Sequence, residues 1–136
     1  MNAPQPHPRY VSIVQKTLAL LAALFGVVTL FAGTRVLTGA NPGYLVFLPL
    51  LVYNTAMGFV YVVAGLLAWR NIQWGTVAAA VIFTLNLLVL AAVGYLYTAG
   101  QAVALDSVRA MVLRTVVWLV LFLGLAWLGR RSLRGG

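Results

Sequence analysis

The stretch YLVFLPLLVYNTAMGFVYVVAGLLAWRNIQWGTVAAAVIFTLNLLVLAAVGYLY, residues 44–97, decides the fold. It contains a single charged side chain, Arg70, set in the short polar turn Arg70-Asn71-Ile72-Gln73. On either side the sequence is apolar without a break and does not alternate, which excludes the pattern of a membrane β-barrel strand. A helix rises about 1.5 Å per residue, so about 20 residues cross a hydrocarbon core about 30 Å thick. Each half of the stretch is long enough to cross once. The turn is so short that the two halves must run antiparallel as a helical hairpin.

Working outward, the charged residues cut the rest of the chain in the same way. An uncharged run of 18 residues lies between Lys16 and Arg35, and one of 15 between Arg114 and Arg130. The first suits one span. The last is too short alone and reaches membrane length only by starting near Ser107 and taking in Arg114. The expected spans are therefore about 17–33, 44–69, 74–97 and 107–129, in one four-span transmembrane domain over 1–136. A Pro-rich tail, 1–10, and a basic tail, 130–136, flank them and are expected to be flexible. Thr38-Gly39-Ala40-Asn41-Pro42-Gly43 breaks helix between the first two spans, and Pro49 is expected to kink the second, freeing the carbonyl of Leu45. The first span has a basic front like a signal peptide, but its apolar stretch is long and no small-x-small site closes it, so it is expected to be retained.

Composition agrees. Hydrophobic residues make up 63% and charged residues 7% of the chain, against about 45–50% and about 25% in an average soluble domain. Ten charged side chains could not cover the surface of a soluble protein of this size, so lipid must be the main solvent. The expected fold is an all-α, integral membrane four-helix bundle, up-down-up-down. Arg9, Lys16, Arg70, Arg130, Arg131 and Arg134 fall on the side of the termini; Arg35, Arg109 and Arg114 fall opposite. The positive-inside rule then places both termini in the cytoplasm and the chain in the cell membrane. Trp69, Trp74 and Trp127 at one boundary, with Tyr44, Tyr95 and Tyr97 at the other, fit interfacial belts.

The net charge of +8 does not imply nucleic acid, because the basic residues sit at helix ends and no basic stripe is interleaved with aromatics. Cysteine is absent, His7 is the single histidine and Asp106 the single acidic side chain. Paired-carboxylate chemistry needs two acids, a Ser-His-Asp relay needs its histidine nearby, and a metal site needs more ligands than these. The chain is therefore expected to be neither an enzyme nor the holder of a cofactor or metal.

Helices associate in lipid by close backbone approach and polar contacts. Ala22, Gly26, Thr29 and Gly33 share one face of the first span, and Asn54, Gly58, Tyr61 and Gly65 one face of the second. Gly75, Ala79, Ile82 (or Phe83) and Asn86 do so on the third. Polar groups inside hydrocarbon are costly unless paired, which singles out Asn54 and Asn86, expected at similar depth on neighbouring helices. They either bond each other or line a small polar cavity. Arg114 either snorkels to the headgroups or turns inward toward Asn54, Tyr53, Asn86 or the Leu45 carbonyl. Asp106 and Arg109, three apart, form a structural ion pair, or Asp106 caps the helix. Arg109 and Arg114 above the amides would suit an anion such as a lipid phosphate or a carboxylate.

Two roles follow. One is a non-catalytic accessory subunit or self-associating scaffold, packing against itself or a membrane-protein partner. The other is a small oligomeric transporter, channel, or lipid- or anion-binding protein, with Arg114, Arg109, Asn54, Asn86 and Tyr53 as its ligand-binding residues. Four-span layouts of this length are shared by several families, and no motif here selects one.

Overall fold

The structure, a computed structural model, describes residues 8–134. Four α-helices account for most of it: α1 (Pro8–Leu37), α2 (Leu48–Arg70), α3 (Ile72–Thr98) and α4 (Leu105–Arg134). Each is long and apolar enough to cross a membrane. They form a four-helix bundle in which α1 packs most extensively on α2 and α3 on α4.

The distribution of side chains is the one expected for a chain whose surroundings are lipid. Large apolar residues face outward, Phe31, Phe59 and Leu88 being 64%, 66% and 63% exposed, while much of the interior is alanine: Ala19, Ala22, Ala64, Ala68 and Ala79. Water would drive the reverse arrangement. Lipid offers no such force, and small residues instead let backbones approach. The three small-residue stripes accordingly lie inside. Ala22, Gly26, Thr29 and Gly33 are buried, as are Gly58, Tyr61 and Gly65, and Gly75, Ala79, Ile82 and Asn86; Asn54 is half-buried. At the α1–α2 crossing a methyl on Gly26 would lie 2.8 Å from the Gly58 carbonyl oxygen and 2.8 Å from the Val62 nitrogen. These are backbone atoms, so only glycine fits.

The neighbouring helices run antiparallel. Gly33 meets Thr55 while Gly65 meets Ala19 and Ala23, and Gln15 Nε2 donates to the Ala68 and Trp69 carbonyls at 2.8 and 3.2 Å. Gly75 abuts Ala68, and Gly129 abuts Ile72. A single residue, Asn71, separates α2 from α3. Its extended backbone (φ −150°) breaks the helix, and its Oδ1 accepts from the Gln73 and Trp74 amides, capping α3.

The helices generally run past the expected spans, and three ends bear on the reading. α1 is helical from the first described residue, Pro8, so residues 8–10 of the expected flexible tail are helical; residues 1–7 lie outside the described part. α4 runs on through Arg130–Arg134. Tyr44–Phe47 is not helical: α2 begins at Leu48 with Pro49 in its first turn. Proline there costs no hydrogen bond and makes no kink, so no Leu45 carbonyl is freed inside a helix. The loop of residues 38–47 instead folds across the end of the bundle, turning at Gly43 (φ +85°), whose amide donates to Asn41 Oδ1 at 2.9 Å.

Candidate functional site

Two groupings stand out among the polar residues inside the bundle, a hydrogen-bonded node and the lining of a cavity. The first centres on Asn86, which is fully buried. Tyr53 donates its hydroxyl to Asn86 Oδ1 at 3.0 Å. The Tyr61 hydroxyl lies 3.2 Å from the same oxygen and 3.1 Å from Asn86 Nδ2, so it donates to the one or accepts from the other. An amide oxygen has two lone pairs and can serve both tyrosines. Tyr61, also fully buried, stacks at tilted angles between Phe25 of α1, 5.6 Å away, and Trp118 of α4, 4.8 Å away. This node ties all four helices together, and every partner in it is a neutral group.

Of the two arrangements expected for Asn54 and Asn86, the direct bond does not form, and only Asn54 lines a cavity. Successive residues of a helix point about 100° apart; Tyr53 faces Asn86, and Asn54 turns toward α1 and α4 instead. There it lines the second group, a cavity of about 100 Å³ between α1, the 38–47 loop, α2 and α4. Its polar lining is Thr29, Tyr44, Asn54, Ser107 and Arg114. Val46, Phe47, Leu50 and Leu51 supply much of its apolar wall. Arg114 reaches this cavity from the third turn of α4. Its Nε is buried without a hydrogen-bond partner, and so is Asn54 Oδ1.

Such orphans are costly. A guanidinium stays charged at any physiological pH, and Arg114 is half-buried, so part of its charge is taken out of solvent without a partner inside the chain to balance it. The chain has one acidic side chain, and it is committed elsewhere: Asp106 lies 4.0 Å from Arg109, with both side chains well exposed at 58% and 72%. That pair contributes little to stability, although Asp106 in the first turn of α4 also complements the helix dipole. Arg109 does not line the cavity.

Of the residues expected at a ligand site, the structure brings Arg114 and Asn54 together and places Tyr53 and Asn86 in the neutral node, with Arg109 outside. Sequence reasoning missed Tyr44, Ser107 and Thr29 as lining, and Tyr61 as the second partner of Asn86. Tyr61 had a signal: it stands on the same stripe as Gly58 and Gly65. Tyr44 had none, since its place depends on the path of a loop. No protein-family model matches this chain, and comparison with curated proteins and with solved structures found no match.

Proposed function

We propose that this chain is a non-catalytic membrane protein that binds a small anion in the Arg114 cavity. In this reading it crosses the cell membrane four times, up-down-up-down, with both termini cytoplasmic and the cavity toward the outer face. The observation that carries it is a charge imbalance. Arg114 stands in a cavity with neutral polar neighbours, its Nε has no partner, and the chain's single acidic side chain is paired at the surface. An anion from outside the chain would balance that charge and fill the space. The orientation is supported by the antiparallel pairing, which gathers Arg9, Lys16, Arg70, Arg130 and Arg131 at the end opposite the cavity. There Lys16 lies 5.2 Å from the Trp69 ring and Arg131 lies 4.5 Å from the Trp127 ring, an arrangement suited to an anionic cytoplasmic leaflet.

The test is thermal unfolding of the purified protein in nanodiscs with sodium chloride, nitrate or propionate at equal ionic strength. At about 100 times its dissociation constant a bound anion stabilises by about 2.7 kcal/mol. At least one salt is expected to raise the midpoint of the wild type and of Arg109→Leu, and to leave Arg114→Leu unmoved. If no salt distinguishes the wild type from Arg114→Leu, the anion site does not exist.

A second reading, the accessory or self-associating scaffold, has its own support. Val60, Val63, Leu67, Trp74, Val77 and Val81 line an apolar groove of about 280 Å³ between α2 and α3, a shape that a partner helix could enter. A homogeneous monomer in mild detergent, with no co-purifying protein, would count against it.

A further inference from the structure

We infer that the anion is a small monocarboxylate of two or three carbons, an inference that rests on the anion-binding reading of the Arg114 cavity. Three observations narrow the class. Size comes first. An apolar cavity of about 150 Å³ accommodates the six heavy atoms of benzene, so one of about 100 Å³ suits four or five, which is acetate or propionate. Net charge comes second. Arg114 is the one cation lining the cavity, so a monoanion neutralises it, whereas a dianion such as sulfate would bring a second negative charge into the bundle with nothing to balance it.

The third observation is the mixed wall. Phe47, Leu50 and Leu51 stand among the polar residues, and they would leave an ion without any apolar part poorly matched to its surroundings. A carboxylate on a short alkyl stub satisfies both kinds of wall. Its two oxygens match the planar fork of a guanidinium, which can hold them by two parallel hydrogen bonds. Ser107 and Tyr44 bring hydroxyl groups to the same wall, and its methyl or ethyl group meets the aliphatic side chains. The same headgroup is carried by a fatty acid, whose long tail would have to leave the cavity through its open side.

The experiment is calorimetric titration of the full chain in nanodiscs with sodium propionate, nitrate, sulfate and palmitate at fixed ionic strength. Propionate is expected to bind at least tenfold more tightly than nitrate or sulfate, and Arg114→Leu to abolish its binding. Should Arg114→Leu fail to fold, Arg114→Lys keeps the charge but loses the fork, and is expected to weaken propionate at least tenfold. Nitrate or sulfate binding as tightly as propionate overturns the carboxylate assignment while leaving an anion site in place. Palmitate binding more tightly than propionate overturns the short-chain assignment. Absence of binding by any of the four overturns this inference and the anion reading together.

Discussion

Gly26→Ile is expected to be among the most damaging single substitutions in the bundle. The first side-chain carbon would stand 2.8 Å from three atoms of α2: the Gly58 carbonyl oxygen, the Val62 nitrogen and Val62 Cγ2. Two of these are backbone and cannot rotate away. The helices must separate, and the loss then spreads along the seam, because Gly33 against Thr55, Gly58 against Leu30 and Gly65 against Ala19 and Ala23 all depend on the same close approach. Overpacking of this kind costs about 1–3 kcal/mol even where side chains can adjust, so a loss of roughly 3 kcal/mol or more is expected. Unfolding in graded detergent mixtures reads it directly. Val28→Ile, on the exposed face of the same helix, is the control and should stay within roughly 0.5 kcal/mol of wild type. Equal stability of the two variants would mean that α1 and α2 do not pack through Gly26.

Asn86→Leu is the second large effect. It fits the space approximately but leaves the buried Tyr61 hydroxyl and the half-buried Tyr53 hydroxyl without their acceptor. Each orphaned buried hydroxyl costs about 1–3 kcal/mol, so a loss of about 2 kcal/mol or more is expected, above the ~0.6 kcal/mol typical of one interhelical bond in a membrane. The signature is the rescue. Removing both partners of a buried hydrogen bond is nearly neutral, so adding Tyr53→Phe and Tyr61→Phe should recover most of the loss. A triple variant less stable than Asn86→Leu would show that the tyrosines are held by something other than this amide.

Much of the fold was legible because membrane crossing constrains sequence so tightly. Uncharged runs must reach a fixed length, and the short run after Arg114 could do so only by including that arginine, as α4 does. The small-residue stripes were equally readable, since an alanine or glycine every three or four residues has little purpose in lipid except close packing. Ends were less legible. Apolarity marks where lipid begins, not where helix stops, so α1 and α4 extend beyond it, while Pro49 turned out to start a helix rather than bend one.

The site was half legible, for a geometric reason. Spacing along a helix fixes depth, but which neighbour a residue faces depends on rotation about the axis, and one position is worth about 100°. That difference separates Tyr53, bonded to Asn86, from Asn54, which lines the cavity. Had the two been exchanged, the expected amide pair could have formed. Tyr44 and Ser107 enter the cavity through the loop and the start of α4, whose paths no periodicity encodes.

Arg114 is half-buried with its Nε shut away from any partner, and in the proposed reading an anion completes it; its own Nε–H proton reports on both. In nanodiscs, nitrogen-15 NMR should find the Arg114 Hε exchanging with water much more slowly than that of Arg109, and moving when propionate is added. An Arg114 Hε that exchanges as fast as that of Arg109 and ignores the anion would place the guanidinium in the headgroups and leave the cavity without a charge to bind with.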